Sequence, residues 1–229
     1  MRDSVKEFVS DVIETVPLKE PIYEFGSYLV PEQIELANLR SLFPGKEYIG
    51  CDMRGGPGVD RILNLHNIDL PPATAGTVLC LDTLEHVEYP RKAMEEIHRI
   101  LKPGGIVIIS SVMNYPIHDF PFDYWRFTPE AFRSLLKIFA SIYVNHAGEN
   151  DFPHTIVGIA GKGTKYDFTA LKQKGNDWQR KWTEPESPKN LSGKLKREAK
   201  RIMHQVINPL KNHYCFQPAD IRKSRITKH

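Results

Sequence analysis

Short apolar runs alternate with amphipathic stretches along the first 160 positions of the chain. Residues 1–16 place Val5, Phe8, Val9, Val12 and Ile13 at helical spacing, which predicts an amphipathic lead helix. Residues 21–26 form a short apolar run ending in Gly26, a first strand. Residues 31–42 read as a helix with Pro31 in its first turn. Strands follow at 46–52, ending in Asp52, and at 61–65. The Arg54-Gly-Gly-Pro-Gly58 turn between them is too short for a helix. A fourth strand at 77–81, a helix at 90–101 and a fifth strand at 106–110 make one strand-helix-strand unit. Residues 114–124 are aromatic, proline-rich and irregular. Thr128, Pro129 and Glu130 supply a cap, a first-turn proline and a first-turn acid, and open another helix. Runs at 141–147 and 155–160 predict a closing hairpin with a long loop.

Strands this short and apolar, alternating with helices, predict an α/β fold: a doubly wound, mostly parallel seven-stranded sheet covered on both faces. Residues 163–190 are polar and read as irregular, with Trp178 and Trp182 among them. Residues 192–212 form a basic helix with Leu195, Ala199, Ile202, Met203, Val206 and Leu210 on one face. The expected organisation is an N-terminal helix at 1–19, a ligand-binding α/β domain at 20–162 and a basic helical C-terminal extension at 163–229.

Charge sharpens that division. Residues 163–229 hold 16 basic and 6 acidic side chains, a balance of +10; residues 1–162 hold 15 and 22, a balance of −7. An acidic body with a basic tail concerns partners, not fold. Three readings of the tail stay open: packing on the domain or on a second copy of the chain, contact with an anionic membrane surface, and contact with nucleic acid. No recognised nucleic-acid module accompanies it, so no nucleic-acid partner is expected. The first residues carry acids and lack an apolar signal core, and no apolar run is long enough for a membrane span. Cys51, Cys80 and Cys215 are widely spaced and odd in number, which predicts neither disulfides nor a zinc framework and points to a reducing cytoplasm.

The polar groups collect where strands end, and ligands of open α/β sheets bind outside the carboxyl ends of strands. Gly26, Ser27 and Tyr28 follow the first strand, where glycine permits close backbone approach. Asp52 ends the second and suits a ribose diol. Asn64, Leu65 and His66 follow the third and suit the flanks of a flat base. The segment from Asp82 to His86 follows the fourth. Together they describe a nucleoside-plus-carboxylate ligand across the point where strand order reverses. No GxGxxG follows the first strand, which argues against a nicotinamide enzyme.

Two segments, Leu81-Asp-Thr-Leu-Glu-His-Val87 and Ile97-His-Arg-Ile-Leu-Lys-Pro-Gly-Gly105, carry a resemblance to the class I S-adenosylmethionine-dependent methyltransferases over roughly residues 20–162. A narrower likeness lies in the segments 48–60 and 118–130, above all Tyr124-Trp-Arg-Phe-Thr-Pro-Glu130. These resemble a bacterial subgroup associated with glycosyltransferases and surface-glycan synthesis. The resemblance implies a Rossmann-like fold and S-adenosylmethionine as cofactor. It puts Glu24, Gly26, Ser27 and Tyr28 in the first cofactor loop, Asp52 on the ribose, and Met53, Asn64, Leu65 and His66 about the adenine. Asp82, Thr83 and Leu84 fall beside the sulfonium. The first loop departs from the glycine-rich family pattern: it reads Gly26-Ser-Tyr-Leu-Val-Pro-Glu32, with a single glycine.

Methylation of a sugar or other small acceptor at oxygen needs a base, and His86, His118 and Asp119 are the candidates. Asp123, Tyr124 and Arg126 are expected to orient a glycan-related acceptor. Asp82, Glu85 and His86 have the spacing to meet one divalent ion, but the plainer expectation assigns no metal ligands: Asp82 faces cofactor, Glu85 and His86 face acceptor or helix cap. The alternatives are a catalytically silent relative that binds partners and an RNA methyltransferase. A cytoplasmic location, peripheral at the inner membrane face through the tail, and a homo-oligomeric state complete the expectations.

Overall fold

A computed structural model describes residues 1–30, 34–118 and 121–183. Seven strands form one sheet: β1 (Ile22–Phe25), β2 (Tyr48–Asp52), β3 (Arg61–Ile62), β4 (Ala75–Cys80), β5 (Leu101–Val112), β6 (Ser141–Glu149) and β7 (Phe152–Gly161). Their order is β3-β2-β1-β4-β5-β7-β6. The first five are parallel, and β7 runs antiparallel between β5 and β6. Strand order reverses between β1 and β4, so the carboxyl ends of those two strands open the crevice where such sheets bind ligands.

Each face carries its own core, because successive strand residues point to opposite sides. One face joins Tyr23, Phe25, Val78, Cys80, Val107 and Ile109 to helices α3 (Pro90–Ile100) and α4 (Pro129–Leu136). Thr128 caps α4 by accepting a hydrogen bond from the Ala131 amide at 3.1 Å. The other face joins Ile22, Leu79, Ile108 and Ile159 to helices α1 (Asp3–Thr15) and α5 (Thr169–Thr183). Val5, Phe8, Val9 and Val12 are buried along α1, as their spacing predicts; Ile13 is half-buried.

Residues 163–190 were expected to be irregular, yet 169–183 form the helix α5. Its apolar face is sparse: Leu171, Gly175 and Trp178 are its buried residues. Trp178 stacks at a tilt on Phe8, with ring centroids 5.7 Å apart, and its indole N–H donates to the Ser4 carbonyl at 2.7 Å. Helices α1 and α5 therefore pack together on the sheet, and residues 1–184 are one compact unit. The boundaries expected at 19 and 162 do not divide it. The hairpin loop expected to be long is a tight turn at Asn150 and Asp151. The expected helix 31–42 keeps a turn of helix α2 at Ile34–Ala37 and a 3-10 turn at Arg40–Leu42. The Lys102–Gly105 turn bulges within β5, where the register passes from Ala75 opposite Leu101 to Thr77 opposite Ile106. The tail helix expected at 192–212 and the candidate Asp119 lie outside the described residues. Among the described residues no helix is long and apolar enough to cross a membrane.

Candidate active site

The crevice begins at Gly26. Its φ is +87°, and a β-carbon there would lie 2.1 Å from Thr83 Oγ1, so a bare backbone is the only fit between the ends of β1 and β4. Thr83 Oγ1 donates to the Leu81 carbonyl at 2.8 Å. The amides of Gly26 and Ser27 both donate to the Cys51 carbonyl, at 2.9 and 3.1 Å, which ties the first loop to the end of β2. The Leu29 amide continues that attachment onto Pro57 at 2.9 Å.

Asp52 stands beside this loop. Its carboxylate accepts the Arg54 amide at 3.0 Å and, more weakly, the Tyr28 amide at 3.4 Å. Tyr28 lies under the Arg54 guanidinium, 4.6 Å from the ring centre, and close on Gly56, where a β-carbon would meet the ring at 2.4 Å. The Tyr28 ring is thus held between the Arg54 guanidinium and Gly56. Met53, directly after β2, is 63% exposed. Ser27 Oγ is buried against Gly50 with no hydrogen-bond partner among the described residues.

Several expected cofactor residues sit elsewhere. The Glu24 carboxylate lies under the sheet and accepts the Tyr48 hydroxyl at 2.6 Å; burial raises its pKa to about 7. Alternation in β1 explains this, since Glu24 points to the same face as Ile22. Leu65 and Leu84 are buried in the α3 core. Asn64 Oδ1 closes a turn by accepting the His66 amide at 2.9 Å, and His66 Nε2 accepts the Tyr89 amide at 3.2 Å. Asp82 has φ +45° and is paired with Arg2, whose guanidinium donates to it at 2.6 and 3.3 Å. Arg2 also donates to the His154 carbonyl and to Thr155 Oγ1, both at 2.6 Å, so it braces β4 against β7. The side chains of Glu24, Leu65, Leu84 and Asp82 are therefore committed to the protein itself.

Beyond the turn after β4 the structure joins two residues that lie 32 positions apart. The His86 and His118 rings meet edge to face with centroids 4.6 Å apart. His86 Nδ1 donates to the Phe122 carbonyl at 2.9 Å, and the His118 amide donates to Asp123 Oδ2 at 2.8 Å. Asp123 and Arg126 were expected to hold the acceptor; instead they hold each other through a two-pronged pair at 2.6 and 2.7 Å. Arg126 also donates to the carbonyls of Tyr115 and Pro116, at 3.1 and 2.8 Å. That pairing keeps the Asp123 carboxyl well below the usual carboxylate range. Their role is to shape the loop that carries His118. Tyr124 remains 42% exposed beside Phe122 and Trp125, and these rings line an apolar rim.

Glu85 is the residue that sequence spacing understated. It is fully buried; Ser111 Oγ donates to Oε2 at 2.6 Å, and Oε1 has no hydrogen-bond partner among the described residues. Burial and the negative charge of Asp82 raise its pKa. It lies in the 3-10 turn Leu84–His86, where Leu84 and Glu85 are both buried, and nothing in the local pattern marked it as the inward-facing residue. The thiols of Cys51 and Cys80 are both pushed up by burial, Cys51 to about 12, so neither is a nucleophile here.

Residues 29–109 match the family described as Methyltransferase domain, whose methyl donor is S-adenosylmethionine. The match spans 81 of the 229 residues, on a sheet of the class I methyltransferase fold. Solved structures share its architecture. An S-adenosylmethionine-dependent methyltransferase from Archaeoglobus fulgidus aligns at 16% identity over 71% of this chain and 95% of its own, with a TM-score of 0.54. A methyltransferase from Thermotoga maritima, described as a possible histamine N-methyltransferase, aligns at 16% identity over 69% and 91%, with a TM-score of 0.51. The 4+2 cyclase SpnF aligns at 12% identity over 69% and 81%, with a TM-score of 0.52. Such likenesses carry the fold, and the reaction must come from the site. No curated protein matches the sequence as a relative.

Proposed function

We propose that this methyltransferase domain transfers a methyl group to an oxygen of a small, glycan-related acceptor. The observation that carries the reading is the meeting of Gly26, Asp52 and Thr83 at the strand-order reversal, with the His86–His118 pair beyond them. The cofactor fits what is present. Asp52 has acceptor capacity left for the ribose hydroxyls, Gly26 offers bare backbone to the methionine portion, and Met53 offers an apolar face to the adenine. When bound, S-adenosylmethionine supplies a methyl group on a positively charged sulfur.

The protein's own residues do the remainder. Tyr28 and Arg54 close over the Asp52 side and exclude water. The loop braced by Arg126 and Asp123 holds His118 against His86, which aligns the acceptor oxygen with the methyl carbon. Productive alignment brings reacting atoms to about 3–3.5 Å. The imidazole pair removes the acceptor hydroxyl proton, a contribution on the order of 10²–10⁴-fold. The exposed rings of Tyr115, Phe122, Tyr124 and Trp125 suit the apolar face of a sugar. The likeness of 118–130 to the glycan-associated subgroup supports that acceptor class.

Calorimetric titration of the full chain with S-adenosylhomocysteine, paired with methyl transfer to a panel of nucleotide-linked and lipid-linked sugars, tests the reading. Saturable binding with transfer to a sugar hydroxyl is the expected result. Saturable binding with no transfer to any sugar would move the acceptor to another class, and absence of binding would leave a silent relative of the fold.

A further inference from the structure

The structure points to a divalent transition-metal site built from Glu85, His86 and His118, and we infer that it binds a zinc- or manganese-class ion at the acceptor end of the crevice. One carboxylate oxygen of Glu85 and one ring nitrogen from each histidine lie within 4.8 Å of one another. Donor atoms around a single ion at about 2.1 Å stand about 3–3.5 Å apart, so closing the cluster takes a shift of about 1–1.5 Å. The three residues come from two segments, the turn after β4 and the loop after β5, which meet here because the Tyr124 amide donates to the Glu85 carbonyl at 2.8 Å.

A second, independent observation points to a ligand. Glu85 is fully buried, and its Oε1 lacks a hydrogen-bond partner among the described residues, while Ser111 satisfies Oε2. A buried carboxylate oxygen left in this state costs free energy. A cation is the partner that offsets both its charge and its unmet acceptor capacity.

The surroundings supply what metal-binding imidazoles need. A ligating histidine donates its other ring N–H to a carbonyl or carboxylate, which sets the tautomer and aims the donor nitrogen. His86 Nδ1 donates to the Phe122 carbonyl at 2.9 Å, so Nε2 carries the lone pair. His118 Nδ1 faces the Pro116 carbonyl at 3.2 Å and Asp123 Oδ2 at 3.3 Å, with Asp123 in turn held by Arg126. That chain of carboxylate, imidazole and ion explains why Asp123 and Arg126 are spent on the loop rather than on the acceptor. Two imidazoles and one carboxylate favour zinc, manganese, cobalt or iron(II) over magnesium or calcium, which prefer oxygen donors. Asp82 is engaged by Arg2 and is not among the ligands.

Three protein donors leave coordination positions open. An acceptor hydroxyl entering one of them is acidified by the ion and releases its proton to solvent water, so with both imidazoles serving as ligands the ion replaces them in activating the acceptor oxygen. This chemical role rests on the proposed methyl transfer; the binding of the ion does not.

The test uses the full chain, stripped with a chelator and titrated with zinc chloride against a competing indicator, then with cobalt chloride followed by absorption. One ion per chain is expected, with a cobalt spectrum free of thiolate bands. His118→Ala and Glu85→Gln should each weaken binding at least tenfold. If Glu85→Gln loses its helical circular dichroism, His118→Ala and His86→Ala carry the comparison, since both histidines are partly exposed. Stoichiometric binding that survives His118→Ala unchanged, or no binding by the parent chain at millimolar metal, overturns the site. S-adenosylhomocysteine titrations on the same samples separate the two readings. S-adenosylhomocysteine binding without zinc binding sinks the metal site alone, whereas zinc bound through these residues without S-adenosylhomocysteine binding sinks the methyl-transfer reading alone.

Discussion

The Arg2 guanidinium grips both carboxylate oxygens of Asp82, its Nη2 at 2.6 Å from Oδ1 and its Nε at 3.3 Å from Oδ2. The second residue of the chain thus anchors the turn that follows β4, 80 positions later. It leaves that turn in a backbone conformation, φ +45° at Asp82, that non-glycine residues rarely adopt. Arg2→Ala should therefore cost about 2 kcal/mol, in the range for hydrogen bonds to charged groups. The urea midpoint should fall with the slope unchanged. An unaltered midpoint would show that the brace is not stabilising.

Trp178 ties helix α5 to α1 by ring packing on Phe8 and by its hydrogen bond to Ser4. Trp178→Ala should lower stability by about 3–5 kcal/mol, as expected for emptying a large aromatic from a core. A chain cut after Gly163 should lose cooperative unfolding in calorimetry, because α5 closes one face of the sheet. Retention of a sharp transition by that truncation would remove α5 from the core.

Asp52 is the predicted ribose holder. Asp52→Ala should weaken S-adenosylhomocysteine binding about 10- to 100-fold, corresponding to about 1.5–3 kcal/mol for lost charge-assisted hydrogen bonds. The melting temperature without ligand should move little, since its present partners are two backbone amides and a long ion pair with the exposed Arg54 at 3.6 Å. Isothermal titration reads the first quantity and differential scanning calorimetry the second.

Glu24 makes stability depend on pH. Burial raises its carboxyl from an ordinary 4.5 to about 7 in the folded state. Between those values the native chain binds more protons than the unfolded chain, so stability falls as pH rises through this window. The loss attributable to Glu24 approaches about 3 kcal/mol above pH 7. Glu85, raised by burial and by Asp82, acts in the same direction. Glu24→Gln should flatten the fall in unfolding free energy between pH 5 and 8 without abolishing it. An identical pH profile in the variant would exclude Glu24 as its source.

His86 and His118 share one small volume although neither is near the other in sequence. His86→Ala should cut turnover on the order of 10²-fold or more while the affinity for S-adenosylhomocysteine holds within about twofold. Single-turnover assays at saturating cofactor check this. A parallel drop in cofactor affinity would assign His86 to the cofactor instead.

Much of this protein is written locally. The apolar spacing of Val5, Phe8, Val9 and Val12 determined α1, and the Thr128-Pro129 start determined α4, because caps and helical periodicity act within one or two turns. Short apolar strands alternating with helices determined a parallel sheet, and with it the edge where Gly26, Asp52 and Thr83 would gather. Helix α5 is not legible in the sequence because only Leu171, Gly175 and Trp178 are buried along it, too few to set a period. Which carboxylates stay available to a ligand was decided by tertiary structure alone. Arg2 claimed Asp82 from 80 positions away, and the burial of Glu24 and the Arg126–Asp123 pair, although local in sequence, took effect only once the sheet and the loop after β5 were in place. The same long-range closure brought Glu85, His86 and His118 together, since two loops meet only after the sheet between them has formed.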